Sequence, residues 1–366
     1  MILNPLPNSA EQLSDTDFDA DFEGEFLAEA GDPLAPIALQ LSPSDCGERL
    51  DKVVARLVPQ FSRGRLQSWI EDGFVTVDGK PAKVRATVYG DEKVLVLPQA
   101  APEDVAFAPE AMELDIVYED DHLIVVNKPA GLVVHPGAGN WTGTLLNGLL
   151  HHCPQLGGVP RAGIVHRLDK DTSGLMVVGK DLATQTDLVR QLQARTVKRE
   201  YLALVWGTPR GSGTINASMG RHQKDRVKMA VSTSLGSKPA ITHYLRLDSG
   251  DLDRRPVSLV QCRLETGRTH QIRVHMAHLG FPLVGDYVYG KPHLTEVFPR
   301  QALQARRLGL VHPATGQACE WLVPLADDFL ALLEQAGIPE PDENAGQEGY
   351  GEEYDDFDDD YGDDEE

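Results

Sequence analysis

Apolar residues recur at helical spacing through Arg49-Leu50-Asp51-Lys52-Val53-Val54-Ala55-Arg56-Leu57, and again from Arg65-Leu66-Gln67-Ser68-Trp69-Ile70. Ser62 stands where the second helix wants a cap, and Gly73 where it must stop. The period then changes. Val75-Thr76-Val77, the turn Asp78-Gly79 and Lys93-Val94-Leu95-Val96-Leu97 read as a small sheet. Further along, apolar runs of strand length dominate. Leu123-Ile124-Val125-Val126 and Leu132-Val133-Val134 flank the break Pro129-Ala130-Gly131 and predict two strands joined by a turn. Gly163-Ile164-Val165 and Leu175-Met176-Val177-Val178 predict strand, tight polar loop, strand, and Tyr201-Leu202-Ala203-Leu204-Val205 a further strand. Helices are predicted over 181–192 and 269–279, the latter closed by Gly280. Two helices with a small sheet, then a long β-rich stretch with few helices, make an α+β chain.

The same pattern divides the chain. A small α+β unit spans residues 41–98, a linker 99–108 around Pro102, and a β-rich unit 109–335. Outside them lie acidic segments, residues 1–40 and 336–366, too polar and too poor in aliphatic residues to pack, and so expected to be disordered.

Charge sharpens this division. The net charge of −22 over 366 residues looks hostile to a polyanionic partner, but the acid is segregated. Residues 1–40 hold nine acids and residues 339–366 fifteen, with no Lys or Arg in either, so residues 40–338 carry about +2. The last stretch, Glu352-Glu353-Tyr354-Asp355-Asp356-Phe357, interleaves aromatics with acids. A solvating tail is the simpler reading, and a nucleic-acid mimic competing weakly for a basic cleft is the sharper one. Cys46, Cys153, Cys262 and Cys319 are widely spaced, which points to reduced thiols rather than a structural zinc site. His151-His152-Cys153 lacks a second ligand cluster at zinc spacing. With no basic segment leading into an apolar core at the amino terminus and no membrane-length apolar run, a soluble, cytoplasmic protein is expected. No Rossmann or Walker pattern stands in context, so no cofactor is expected.

The loop His166-Arg167-Leu168-Asp169-Lys170-Asp171-Thr172-Ser173-Gly174 seats a carboxylate, Asp169, in a polar, glycine-closed turn between apolar runs. On local grounds it reads as turn chemistry. His166, Asp169 and Ser173 crowd together, but closeness in sequence is no evidence for a triad. Asp169 and Asp171 as paired glycosidase carboxylates would need a controlled separation that neighbouring loop positions do not provide.

More specific is the string Gly163-Ile164-Val165-His166-Arg167-Leu168-Asp169 through Gly179-Lys180, which resembles the catalytic motif of the RluA-type pseudouridine synthases. Three further stretches carry the same resemblance. They are Asn127-Lys128-Pro129-Ala130-Gly131-Leu132-Val133-Val134-His135-Pro136, Lys198-Arg199-Glu200-Tyr201, and Gly267-Arg268-Thr269-His270-Gln271-Ile272-Arg273-Val274-His275. Overall, the likeness is greatest to the D-type large-subunit rRNA enzymes. It implies a mixed, mainly antiparallel sheet with the active-site cleft across its middle. It also implies that Asp169 is the essential carboxylate, that Arg273 is its cationic partner, and that Tyr201 packs on the target base and assists removal of the C5 proton. Arg167 would fill the space left by the flipped uridine, and His166 and Asp171 would be structural. Residues 41–98 resemble an S4 RNA-binding domain, through Ser62-Arg63-Gly64-Arg65 and Gly73-Phe74-Val75-Thr76-Val77-Asp78-Gly79-Lys80, with Arg63, Arg65 and Lys80 placed to meet phosphates. Two positions depart from the pattern. Gln304 and Phe281 stand where relatives often carry histidine. The implied partner is structured RNA, large-subunit rRNA or pre-ribosomal particles, with no membrane and no small-molecule cofactor. A tRNA target, a non-catalytic RNA-binding assembly factor and a hydrolase are the competing readings.

Overall fold

The computed structural model describes residues 35–99, 106–137, 139–225, 228–290, 294 and 296–345, and the chain divides after Ala100 into two units. Most of both acidic segments, and residues 100–105 of the expected linker, lie outside the described residues.

In the first unit, α1 (Leu50–Leu57) and α2 (Arg63–Glu71) pack on a sheet of β1 (Ile37–Gln40), β2 (Val75–Val77), β3 (Lys80–Pro81) and β4 (Lys93–Val96), ordered β1-β4-β2-β3. Leu50, Val53 and Val54 of α1 meet Leu66, Trp69 and Ile70 of α2 over Val75, Val94 and Val96. Ser62 caps α2 as predicted, its hydroxyl accepting the Arg65 N–H at 3.3 Å. One boundary is corrected. Residues 37–40 belong to this sheet rather than to a disordered segment, because Ile37 and Leu39 turn inward onto the core while β4 would otherwise lack a partner on that side.

The second unit is built on a nine-stranded sheet. Its strands are β5 (Ile116–Glu119), β6 (Leu123–Lys128), β7 (Ser173–Gly179), β8 (Lys198–Trp206), β9 (Ser212–Asn216), β12 (Ile241–Leu252), β13 (Arg255–Leu264), β14 (Leu303–Val311) and β15 (Ala318–Leu322). A separate ribbon joins β10 (Met219–Arg221) to β11 (Met229–Val231). The order is β5-β6-β7-β14-β8-β13-β12-β9, with β15 also paired to β14. Only β7 with β14 is parallel, so the sheet is mixed and mainly antiparallel, as the resemblance implied.

Strand alternation assigns the core. Along β8, Tyr201, Ala203 and Val205 face a cluster with Leu149 of α3 (Leu145–His152) and with Ile272 and Met276 of α5 (Gln271–His278). Leu202, Leu204 and Trp206 face the opposite way, onto Phe329, Leu332 and Leu333 of α6 (Asp327–Gln335). The fourth long helix, α4 (Leu182–Gln193), is capped by Asp181 and covers Val125, Leu175 and Val177 through Leu188. Ala336 and Ile338 also pack in the α6 cluster, so the ordered unit extends past residue 335.

Two predicted strands are absent. Leu132-Val133-Val134 is irregular because the Val133 and Val134 carbonyls accept the first N–H groups of α3, at 2.8 and 3.1 Å. Ile164 makes a single bridge to Val178 and runs on into loop, the backbone being diverted at Arg161, Ala162 and Gly163, all with positive φ. A Cβ on Gly163 would lie 1.9 Å from the Gly179 carbonyl oxygen, so close approach requires glycine there.

Candidate active site

The loop before β7, the middle of β8 and the first turn of α5 meet around Asp169. Gly174 permits this, with φ +115° and no room for a side chain, since a Cβ would lie 2.1 Å from the Ala305 carbonyl oxygen. Ala305 pairs with Gly174 on one side and with Tyr201 on the other, so β14 sets the tyrosine strand beside the carboxylate loop.

Asp169 is partly buried, and its Oδ2 accepts a bond from Arg273 Nη1 at 2.9 Å. The other edge of the guanidinium is held by fully buried Asp286, with Nε to Oδ2 at 2.7 Å and Nη2 to Oδ1 at 2.9 Å. Asp286 Oδ1 also accepts the Val288 and Tyr289 N–H groups. Burial alone would lower the pKa of Arg273, but the two carboxylates outweigh it and raise it. Burial alone would raise that of Asp286, and Arg273 more than offsets it. Arginine between two carboxylates thus stays charged, and its planar fork fixes the geometry. Tyr289 lies under the guanidinium, its ring centroid 5.1 Å from Cζ.

Asp169 Oδ1 has no hydrogen-bond donor among the described residues, and His270 Nε2 stands 3.9 Å from it. Tyr201 is buried on the same face of the sheet as α5. Burial raises its pKa, so the neutral phenol is its resting form. Arg167 is exposed and makes no hydrogen bond or ion pair among the described residues. Its charge acts on His135 and on His270, where it helps to lower the imidazole pKa. His166 is committed to the framework. Its Nε2 accepts the Val177 N–H at 3.0 Å, and burial takes its pKa down to about 3.

Residues that local sequence gave no reason to choose hold the loop. Fully buried Lys128 donates from Nζ to the carbonyls of Pro129, Leu132 and Lys170 at 2.8, 2.9 and 3.0 Å. Burial pulls its pKa down to about 7, while Asp171 and Asp169 pull it up, and three converging carbonyls match an ammonium. Arg300 Nη1 donates to the Asp171 carbonyl at 3.2 Å, Gln301 Nε2 to Thr172 Oγ1 at 3.1 Å, and Ser173 Oγ to Gln304 Oε1 at 3.4 Å. Each residue from Lys170 to Ser173 is therefore anchored from elsewhere in the chain. Asp286 and Tyr289 lie in Gly285-Asp286-Tyr287-Val288-Tyr289-Gly290, whose tyrosines between glycines were the one available signal.

In the first unit, Arg63 donates from Nε and Nη2 to buried Asp51 at 3.1 and 2.6 Å, alongside Arg49 and Gln67. Burial alone would raise the Asp51 pKa, but these donors bring it to about 2. Arg65 donates to the Gln99 carbonyl and stacks on Phe61 and Trp69, with its Cζ 5.3 and 5.0 Å from the ring centroids. Lys80 is exposed on β3. Of the three cations expected to meet phosphates, two are thus engaged within the unit itself.

A family model for RNA pseudouridylate synthase matches residues 122–278, and one for the S4 domain matches residues 48–91. Ribosomal large subunit pseudouridine synthase D of Neisseria meningitidis serogroup B is 49% identical over 335 residues, covering 89% of this chain and 87% of that protein. The protein of the same name from Nitrosomonas europaea is 52% identical over 305 residues, covering 81% and 87%. Among solved structures, human RNA Pseudouridylate Synthase Domain Containing 1 is 28% identical, covers 67% of this chain and 100% of its own, and superposes with a TM-score of 0.48. Extensive identity across both units, carried by a chain whose motifs converge on one carboxylate, makes this protein a member of the RNA pseudouridylate synthase family.

Proposed function

We propose that this enzyme isomerises uridine to pseudouridine at defined positions of large-subunit ribosomal RNA in the cytoplasm, with Asp169 as the essential carboxylate. The observation that carries the reading is Asp169 held by Arg273 through Oδ2, with Oδ1 left without a donor among the described residues. The curated relatives' names supply the RNA class.

The reaction breaks the N1–C1′ bond, turns the base and joins C5 to C1′; C5 gives up its proton and N1 ends protonated. Nothing is oxidised or reduced. Asp169 starts it, by adding to the sugar or by taking a proton from it, and Arg273 holds the carboxylate in place through Oδ2. Tyr201 lies against the base, offering a ring face and a polar tip. Being a neutral phenol at rest, it suits packing first, and accepts the C5 proton only if another group takes its own. Arg167, free of partners among the described residues, fills the stack when the uridine leaves it, offsetting a few kcal/mol of lost stacking. The S4-like unit adds phosphate contacts through Lys80 and the exposed sides of Arg63 and Arg65.

Tritium release from large-subunit rRNA labelled at uridine C5 tests the reading. The wild type releases tritium, Asp169→Asn releases none and RNA affinity changes little. Turnover by Asp169→Asn would remove the carboxylate from its assigned role, and mapping pseudouridines in rRNA and tRNA from cells with and without the gene decides the target.

A further inference from the structure

His270 begins α5 in the left-handed region, with φ 59° and ψ 20°. A non-glycine residue there carries a conformational cost that is retained where surrounding structure demands the side chain's position. The demand comes from Tyr289, whose hydroxyl lies 2.8 Å from His270 Nδ1 and accepts the Met229 N–H at 2.9 Å. With that N–H on the tyrosine oxygen, the assignment that uses the phenolic proton among the described residues sends it to Nδ1. The ring proton then sits on Nε2, the nitrogen facing Asp169 Oδ1 at 3.9 Å.

That separation is too long for a hydrogen bond to the carboxylate. The imidazole is also not an ion-pair partner: burial lowers its pKa, Asp169 raises it less, and Arg273 lowers it further. A neutral N–H with no acceptor among the described residues therefore faces the side of Asp169 Oδ1, the carboxylate oxygen left without a donor among them. We propose that His270 is a further catalytic residue, whose Nε2–H donates to an oxygen of the target nucleotide adjacent to the reacting ribose carbon. Three oxygens surround that carbon: the ring O4′ bonded to it, the uracil O2 and the ribose 2′-hydroxyl. A donor at O4′ would oppose the positive charge that the sugar gathers as the N1–C1′ bond breaks, which leaves O2 and the 2′-hydroxyl as the acceptors that help. A donor at O2 gains strength as the departing base takes up negative charge, whereas one at the 2′-hydroxyl orients the sugar. No proton is transferred, and Tyr289 is the positioning residue that holds the tautomer.

The inference rests on the isomerase reading, and paired substitutions separate the two. Asparagine tolerates left-handed backbone but ends short of the Nε2 position, while glutamine carries its amide N–H out to it. Single-turnover tritium release at saturating large-subunit rRNA, the RNA Kd and the thermal midpoint are measured for wild type, His270→Asn and His270→Gln. His270→Asn is expected to slow release about 100-fold with Kd within about threefold of wild type, and His270→Gln to recover about tenfold. RNA carrying 2′-deoxyuridine at the mapped target distinguishes the acceptors. A defect of His270→Asn that vanishes there identifies the 2′-hydroxyl, and one that persists identifies O2. Release by His270→Asn within about threefold of wild type, or equal defects in the two variants, would overturn the inference alone. Absence of release by the wild type would overturn the isomerase reading and the inference with it.

Discussion

Arg273 joins two carboxylates of different exposure, and this asymmetry is why the proposed function gives the reaction to Asp169. Asp286 is fully buried and spends its Oδ1 on backbone N–H groups as well as on Arg273, whereas Asp169 is open to solvent on one side. Replacing Asp286 by asparagine keeps the shape and removes the buried countercharge. We expect a loss of about 3 kcal/mol in urea-induced unfolding, together with slower turnover as Arg273 loses its fixed orientation. A loss below experimental error would show the clamp to be dispensable. Asp51 carries a pH-dependent term in the first unit. Its folded pKa lies below the ordinary 3.8, at about 2, so its stabilisation is complete above 3.8 and disappears as pH falls towards 2. Asp51→Asn should lower the melting temperature at neutral pH and flatten the fall between those two values, as read by thermal unfolding across that range. Asp169 was legible at this scale because its motif is contiguous. Asp286 was not, since it meets Arg273 across 13 residues and only folding brings the pair together.

At the scale of elements, the Asp169 loop is anchored by strands and helices on both sides. Lys128 at the end of β6 takes one loop carbonyl, Arg300 ahead of β14 takes another, and Arg300 is itself fixed by two bonds to Asp328 in α6. Gln304 serves this framework. Its Nε2 donates to the Pro324 carbonyl at 2.7 Å and its Oε1 accepts the Ala326 N–H at 2.9 Å, securing the entry to α6. Gln304→Ala leaves both part-buried backbone groups without their partner and should cost about 1–3 kcal/mol in chemical denaturation, with turnover at saturating RNA reduced less than by changes at Asp169. An unaltered denaturation midpoint would remove Gln304 from the framework. The helices α1, α2, α4 and α5 were readable because 3.6-residue periodicity, the Ser62 and Asp181 caps and Gly280 are local signals, whereas α3 and α6 were not anticipated. The strands expected at Ile164 and Leu132 were misread because an apolar run shows that a segment is buried and not that it finds a ladder partner.

For the whole molecule, charge segregation leaves a nearly neutral body carrying local cations, and salt should therefore govern RNA affinity. Lys80→Ala is expected to reduce the slope of log Kd against log salt by about 1 while leaving single-turnover release at saturating RNA unchanged. An unchanged slope would take Lys80 out of the interface. The C-terminal acidic segment begins in contact with the second unit, since Arg306 donates to the Pro341 and Asp342 carbonyls at 3.0 and 3.3 Å. A deletion meant to separate a solvating tail from a nucleic-acid mimic must accordingly start after residue 345. RNA affinity at low salt that does not change on removing residues 346–366 is the expected result, and tighter binding would favour the mimic. By itself the sequence determined the α+β class, the separation of a small unit from a β-rich one, and the Asp169, Tyr201 and Arg273 candidates, because periodicity and contiguous motifs are local properties of the chain. Only the tertiary structure decided that β14 stands between the carboxylate loop and the tyrosine strand, that Asp286 and Tyr289 hold Arg273 and His270, and that Arg63 and Arg65 are partly engaged within their own unit. Those relations join residues far apart in sequence through burial and hydrogen bonding, and neither exists until the chain has folded.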